Sequence, residues 1–156
     1  MMFANAVNFE KEFIERTKAN LDGYCRSGGK FEVTQFVNSM LGLLIIPKEK
    51  YYSLIENNMI SEELFRKIKK CCHSYEGSKL TLRYIIRKIR NAASHGHLVF
   101  EVEEDSYGNP GTQIARITFE DYSAEVPCRK NFVARIEIDL LKEFVLAFAD
   151  SILKLS

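Results

Sequence analysis

The sequence lacks an apolar run long enough to cross a membrane. A membrane-spanning helix needs about 20 consecutive apolar residues, whereas the longest apolar run, MLGLLIIP at 40–47, is far shorter. The first residues, MMFANAVNFEKEF, carry acids early and lack the apolar core of a secretory signal. We therefore expect a cytoplasmic protein with no membrane contact.

The sequence also lacks a metal-binding cysteine pattern. It has four cysteines and no C-x-x-C pair, and the one cluster is CCH at 71–73. Adjacent residues on a helix project about 100° apart, so Cys71 and Cys72 are poorly placed to share an ion. We expect buried or half-buried thiols, no metal site and no cofactor.

Composition and charge favour one globular domain with an uneven charge distribution. The chain has 156 residues, of which 46% are hydrophobic and 28% are charged. Residues 61–97 contain nine Lys or Arg against three acids, a net charge of +6, and residues 98–125 contain seven acids against one Arg, a net of −6. The basic segment is either a surface for a polyanion or a solvated face that attracts the acidic segment or a second subunit.

Apolar spacing predicts a mainly helical chain up to Gly96. The stretch at 32–46 is apolar almost all round, which indicates a central helix, and Pro47 either ends it or starts the next helix. Ser61 before two Glu indicates a helix start, and Asp139 is predicted to cap the last helix. Helices are expected at about 4–21, 32–46, 47–58, 61–75, 78–95 and 140–156, with a loop at 25–30 and a turn at 76–78.

Alternating polar and apolar residues after Gly96 predict β-strands. The alternating stretches lie at 97–105, 113–122 and 131–139, and SYGNPGT at 106–112 reads as a turn. Leu98, Phe100 and Val102 should share one face of the first strand, and Phe132, Ala134, Ile136 and Ile138 should share one face of the last. We therefore predict a single domain, 1–156, that is mainly α, a helical bundle with a small antiparallel β meander inserted at about 97–138, before the C-terminal helix.

The helix that ends in RKIRNAASHGH, at 87–97, has one polar face rich in arginine. At about 100° per residue, one narrow strip of this face carries four polar residues: Arg83, Arg87, Arg90 and Ser94. Asn91 and His95 are four residues apart, so they stack one above the other. Gly96 occupies the position where a helix C′ glycine is expected, which places His95 at an accessible helix end.

These residue types suit RNA cleavage without a metal. The 2′-hydroxyl of RNA attacks the adjacent phosphorus when one group removes its proton, another protonates the leaving oxygen, and cations stabilise the developing charge. Histidine, with an unperturbed pKa of about 6.5, suits the proton transfers, and the donors of arginine fit phosphate oxygens. One histidine cannot easily serve as both acid and base, so two copies around a two-fold axis would complete a site. The plain alternative is an ordinary solvated helix end.

The stretch RNAASH at 90–95 resembles the signature of the HEPN domains (higher eukaryotes and prokaryotes nucleotide-binding), in which Arg is followed after four to six residues by His. EVTQFVNSMLGLLIIPKEKYY at 32–52 is similar to a segment of small bacterial HEPN proteins. The resemblance implies a helical bundle that dimerises through the motif helices. It also implies metal-independent RNA cleavage by Arg90 and His95, with Asn91 as their polar neighbour. Such proteins often act as toxins in toxin–antitoxin or phage-defence systems, so an antitoxin or a defence-complex subunit is an expected partner.

The sequence departs from the family pattern at one position. Members that are paired with a nucleotidyltransferase antitoxin commonly have Tyr two residues after the motif histidine, where this chain has His97. His97 is either an accessory proton carrier or a plain histidine at the start of an edge strand.

Three functions follow from these patterns. The first is a metal-independent endoribonuclease in which Arg90, Asn91 and His95 act on RNA and Arg83, Arg87 and Ser94 hold phosphates. The second is a nucleotide- or RNA-binding module without catalysis. The third is a protein-binding partner that docks through the acidic meander.

Overall fold

A layer of helices packs on one face of a four-stranded antiparallel sheet in this computed structural model, which describes residues 6–26, 32–104, 106–108, 110–126 and 128–155. The helices are α1 (Ala6–Arg26), α2 (Glu32–Tyr51), α3 (Glu62–Lys70), α4 (Leu82–Ser94) and α5 (Ile138–Leu153), and the strands are β1 (Cys72–Ser74), β2 (Leu98–Glu104), β3 (Pro110–Tyr122) and β4 (Lys130–Glu137). The strand order is β1-β4-β3-β2.

Helix α2 lies at the centre of the helical layer, as its apolar sequence predicts. It packs against α1, α4 and α5. Its side chains Phe36, Met40, Leu43 and Leu44 are fully buried. Burying each side chain of this size stabilises the fold by about 1.5–3 kcal/mol relative to leaving it exposed. This packing covers the apolar face of α4, so that the polar face of α4 remains outside the core.

The prediction that a helix ends or begins at Pro47 is wrong. Helix α2 runs on to Tyr51, and two short 3-10 turns, Tyr52–Leu54 and Asn57–Met59, follow it. Proline in a helix removes one backbone hydrogen bond and favours an end or a kink. Here the buried face continues past it, because Leu44 and Tyr51, two turns apart, are both in the core.

Helix α3 begins as predicted but ends earlier. The Ser61 hydroxyl caps it by accepting a hydrogen bond from the backbone N–H of Leu64 at 3.2 Å. The predicted continuation to Tyr75 is wrong, because the helix ends at Lys70 and β1 follows. The backbone of β1 pairs with β4, with Cys72 opposite Ala134. Pairing across the sheet therefore replaces the local helical pattern.

The sheet contains the predicted meander and one strand more. Strands β2, β3 and β4 follow one another as antiparallel neighbours. The fourth strand, β1, comes from the chain before α4, so the sheet is larger than a contiguous meander and the fold is not a pure helical bundle. The predicted apolar residues Phe132, Ala134 and Ile136 share a face of β4 and are fully buried, whereas Ile138, predicted on the same strand, is nearly buried as the first residue of α5. This face packs against α5.

Strand β2 is an edge strand, and its apolar residues are only partly covered. Leu98 and Phe100 lie opposite Phe119 and Ile117 of β3 and so share the core-facing side of the sheet. The pairing becomes irregular between Glu101 and Val102, so the predicted alternation does not extend regularly to Val102. Three neighbouring β2 side chains are substantially exposed: Val99, Phe100 and Val102.

Two predicted helix starts are shifted. Helix α4 begins after Thr81, whose hydroxyl accepts a hydrogen bond from the N–H of Tyr84 at 3.1 Å, and not at Ser78 or Lys79. Helix α5 begins at Ile138, with Asp139 inside its first turn, so Asp139 is not the cap. The carboxylate of Asp139 still lies close to the positive end of the helix dipole. The apolar stripe of α5 is buried as predicted: Leu141, Phe144, Val145, Phe148 and Ile152.

The loop predicted at 25–30 is wrong at its first two residues, and the turn predicted at 106–112 ends earlier than expected. Helix α1 includes Cys25 and Arg26, and residues 27–30 lie outside the described residues. Strand β3 begins at Pro110, after a turn in which Gly108 has a φ of +78°. Across the described residues, we find no helix with the length and apolar character that a membrane crossing requires.

Candidate active site

The C-terminal end of α4 closes on a glycine turn, which places His95 at the surface. Gly96 has a φ of +70°, the left-handed conformation that glycine adopts most readily. Its N–H donates to the carbonyl of Ala93 at 3.2 Å, and the N–H of His97 donates to the carbonyl of Ala92 at 2.9 Å. This is the Schellman arrangement of a helix end. The predicted helix end is thus confirmed, with His95 as the exposed C-cap residue.

One turn before His95, Asn91 connects Arg90 to the sheet. Arg90 Nη1 donates to Asn91 Oδ1 at 3.4 Å, and Asn91 Nδ2 donates to Asp121 Oδ2 on β3, also at 3.4 Å. The backbone carbonyl of Asn91 accepts from the N–H of His95 at 3.0 Å. The structure therefore brings Arg90 and Asn91 into side-chain contact and places His95 one turn after Asn91, at the end of the helix.

A buried ion pair lies directly behind Asn91. Lys88 Nζ is 3.1 Å from Asp121 Oδ2, and the two side chains are 5% and 7% exposed. Lys88 Nζ also donates to Glu76 Oε1 at 3.4 Å, so two carboxylates surround the ammonium group. Glu76 Oε2 in turn accepts from the hydroxyl of Tyr84 at 2.8 Å. This chain of contacts joins α4 to the turn before it and to β3.

This pair was not predicted from the sequence, where Lys88 and Asp121 were counted only as charges of the basic and acidic segments. Two signals could have found it. Lys88 falls at the margin between the polar and apolar faces of α4 when about 100° is assigned to each residue. Asp121 follows Ile117 and Phe119 at alternate positions of β3, which places it on the core-facing side of the strand.

His97 lies between the end of α4 and the start of β2, and its ring lies beside Tyr122. Its ring centroid is 5.9 Å from that of His95 and 4.7 Å from that of Tyr122, the latter in an edge-to-face arrangement. The hydroxyl of Tyr122 donates to Glu120 Oε2 at 2.6 Å, and Lys130 Nζ donates to Glu120 Oε1 at 3.1 Å. The hydrogen bond to the carboxylate raises the pKa of Tyr122 and lowers the pKa of Glu120. Tyr122 and Glu120 were not singled out from the sequence.

The predicted arginine strip is not uniform. Arg83 Nη2 donates to the backbone carbonyls of Ser53 and Ile55 at 3.0 and 3.2 Å, so this guanidinium braces the segment after α2. The Arg87 guanidinium lies 5.5 Å from the ring centre of Tyr84, a cation–π contact, and its side chain is half-buried. Ser94 is exposed on the last turn. Arg83 is therefore occupied by backbone carbonyls near the start of α4, whereas Arg87 and Ser94 lie nearer to its C-terminal end.

The described residues contain no group of three or more histidine, cysteine or acidic side chains that could hold a metal ion. Cys71 and Cys72 are free thiols, each donating weakly to a backbone carbonyl of α3. Burial, together with the neighbouring Cys71, raises the pKa of Cys72 to about 12, which keeps this thiol protonated at neutral pH.

Comparison with known proteins identifies the family. The model of a family described as HEPN pEK499 p136 matches residues 2–156, a range that includes the sheet as well as the helices. No curated protein and no solved structure matches the chain. HEPN domains include ribonucleases, and the family suggests a role in RNA cleavage or nucleotide binding. Because the match spans nearly the whole sequence, the chain belongs to the HEPN domain family.

Proposed function

We propose that the protein is a metal-independent endoribonuclease of the HEPN type. The observation that carries the proposal is the arrangement at the end of α4. His95 is exposed there, one turn from an Asn91 amide that contacts Arg90 and is itself tied to buried Asp121. A proton-transferring ring and an oriented guanidinium near the end of one helix are groups that phosphodiester cleavage without a metal uses.

In the proposed reaction, the 2′-hydroxyl oxygen of RNA forms a bond to the adjacent phosphorus. A neutral His95 takes the hydroxyl proton, and the guanidinium of Arg90 stabilises the charge that develops on the non-bridging phosphate oxygens. The bond from phosphorus to the 5′-oxygen then breaks, and a protonated His95 of a second copy supplies a proton to that oxygen. The products are a 2′,3′-cyclic phosphate and a 5′-hydroxyl.

A homodimer through the motif helices would supply the second histidine. One His95 serves as base and the other as acid, and two sets of arginines surround the phosphate. Arg87 and Ser94 are proposed to hold flanking phosphates. His97 is an accessory candidate for proton transfer, because its ring is 5.9 Å from that of His95.

The proposal is tested by incubating RNA with purified protein in excess EDTA. Cleavage should persist, the ends should carry 2′,3′-cyclic phosphate or 3′-phosphate, and DNA should survive because it lacks the 2′-hydroxyl. His95→Ala should remove the activity, whereas His73→Ala, an exposed histidine on edge strand β1, is the matched control and should retain it. Loss of cleavage on chelation would exclude this mechanism.

The dimer is tested by mixing wild-type chains with His95→Ala chains. If both histidines are needed, heterodimers should be much less active than wild type, so activity should fall faster than the wild-type fraction. A protein that is monomeric at assay concentration and still fully active would exclude a composite site.

The cellular role is proposed to be that of a toxin or phage-defence effector. Growth arrest on expression, relieved by His95→Ala, would support it. Binding of RNA or nucleotide without cleavage would instead favour a non-catalytic binding module, and growth arrest that survives substitution of Arg90 and His95 would favour a protein-binding role. For that last alternative, the docking surface is the acidic meander, whose edge strand β2 also exposes Val99, Phe100 and Val102.

A further inference from the structure

We infer that the buried Lys88–Asp121 pair is a positioning device for the proposed ribonuclease site, in which Asp121 sets the orientation of the Asn91 amide and, through it, of the Arg90 guanidinium. The inference rests on the proposed function as far as activity is concerned. It assigns to Lys88 and Asp121 a task that no motif in the sequence indicates.

The burial of the pair is the first reason. Lys88 and Asp121 are both buried, in a core that is otherwise almost entirely apolar. Removing two charges from water carries a desolvation penalty that their attraction often fails to offset, so a well-packed apolar pair would serve the core at least as well. An apolar pair could not, however, accept the hydrogen bond that Asn91 donates to Asp121.

The polarity of the contacts is the second reason. A carboxylate accepts hydrogen bonds and a guanidinium donates them, so an amide between the two has one favourable orientation. With Nδ2 toward Asp121, as observed, Oδ1 faces Arg90 and accepts from it. The flipped amide would direct its oxygen at the carboxylate and its N–H groups at the guanidinium. Asp121 therefore determines which end of Asn91 meets Arg90.

Lys88 holds the carboxylate in place through the same oxygen, Oδ2, that accepts from Asn91. Its ammonium contacts Asp121 Oδ2 at 3.1 Å, while the other carboxylate oxygen, Oδ1, accepts from the N–H of Tyr122 at 3.1 Å. Glu76 satisfies a further donor of the ammonium at 3.4 Å. The carboxylate is thus fixed by two contacts besides that with Asn91, one on each oxygen, so it can act as a rigid reference for the helix end.

The first test removes the pair without leaving a buried charge. The Lys88→Met/Asp121→Leu variant should lower kcat about 10-fold with little change in KM, because the amide that contacts Arg90 is no longer held in one orientation and RNA still binds. Phe148→Leu, in the buried face of α5, is the control for lost stability and should leave kcat unchanged. Wild-type kcat in the double variant would overturn the inference.

The second test asks whether the effect passes through Asn91. Asn91→Ala should also lower kcat about 10-fold, and combining it with Lys88→Met/Asp121→Leu should add little, because both changes break the same connection. Losses that multiply would mean that the buried pair acts on the site by some other route, and would overturn the inference.

The third test uses a substitution that leaves the buried pair intact, and so stays informative if the double variant does not fold. Asn91→Asp has the shape of asparagine but cannot donate to Asp121, and it places two carboxylates in contact. It should lower kcat at least as much as Asn91→Ala. If contact with Arg90 were all that mattered, Asn91→Asp would strengthen that contact and preserve activity, which would overturn the inference. In the Lys88→Met/Asp121→Leu background, Asn91→Asp should restore part of the lost activity.

A spectroscopic measurement separates failure of this inference from failure of the proposed function. The NMR signals of the Asn91 side-chain amide can be identified by their loss in Asn91→Ala. In the wild type their chemical shifts should differ from those of a solvated amide, and in Lys88→Met/Asp121→Leu they should move toward the solvated values. This result is expected even if the protein cuts no RNA. Signals that do not move would overturn the positioning role whatever the activity.

Discussion

The two ends of helix α4 carry the same kind of side chain in different surroundings. At the first turn, the Arg83 guanidinium is bonded to two backbone carbonyls of the segment after α2. At the last turns, Arg90 contacts the Asn91 amide, and the exposed His95 follows. Sequence periodicity places both arginines on one strip, but the neighbouring chain decides which of them braces the fold. The following predictions test this division, in order of decreasing effect.

The largest effects are expected at the C-terminal end. Arg90→Ala and His95→Ala should each lower kcat for RNA cleavage by about 10²-fold or more, with RNA affinity similar to wild type, because both groups are proposed to act in the transition state. His73→Ala is the matched control on β1. The melting temperature of each variant should match wild type. A fully active His95→Ala protein would contradict the catalytic assignment.

At the other end of the helix, Arg83→Ala should reduce stability instead of catalysis. The variant loses two hydrogen bonds from a charged donor, and we expect the free energy of unfolding to fall by about 1–3 kcal/mol. Urea unfolding measures this change, and RNA affinity should stay at the wild-type value. An unchanged stability with weaker RNA binding would instead support the phosphate-binding role predicted from the sequence.

Gly96→Ala should cost less, about 1–2 kcal/mol in the free energy of unfolding. The added methyl group would meet no atom within 4 Å, so the cost comes from the φ of +70° alone. Gly96→Asn should therefore be milder, since asparagine tolerates this conformation better. Thermal unfolding of the two variants provides the comparison, and equal losses would show that φ is not the cause.

Arg87→Ala should have the smallest effect. If Arg87 contacts one RNA phosphate, its loss should weaken binding several-fold and reduce the salt dependence of affinity by about one unit of slope. Titrations at several salt concentrations, compared with Arg83→Ala, measure it. An unchanged slope would mean that this guanidinium serves only its contact with the Tyr84 ring.

Much of the framework could be predicted from local patterns. The apolar faces of α2 and α5, the alternation of β4 and the glycine that ends α4 all follow from spacing and from the chemistry of single residues. Strand β1 could not be predicted, because three residues directly after a helix acquire their conformation from pairing with β4. The helix boundary predicted at Pro47 is wrong for a similar reason. Buried residues before and after Pro47 keep the chain helical, although proline alone favours a helix end.

The candidate site divides in the same way. Arg90, Asn91 and His95 were recognised because their spacing lies within one stretch of chain, and their catalytic roles remain predictions. Lys88 and Asp121 are 33 positions apart, so nothing local indicates that they meet. A charged residue at an otherwise apolar alternate position, such as Asp121 after Ile117 and Phe119, is the pattern that could have indicated a buried partner.

The position of β1 has a consequence for the order in which the protein can be made. This strand precedes α4 in the chain, yet its partner β4 follows β3, and Asp121 lies on β3 itself. A nascent chain that ends at Glu104 would contain the whole Arg-to-His motif but neither the carboxylate behind Asn91 nor the strand that pairs with β1. Non-local pairing of this kind forms late in folding. The growing polypeptide therefore completes the candidate site only after β3 and β4 have been synthesised, well after the motif itself has left the ribosome.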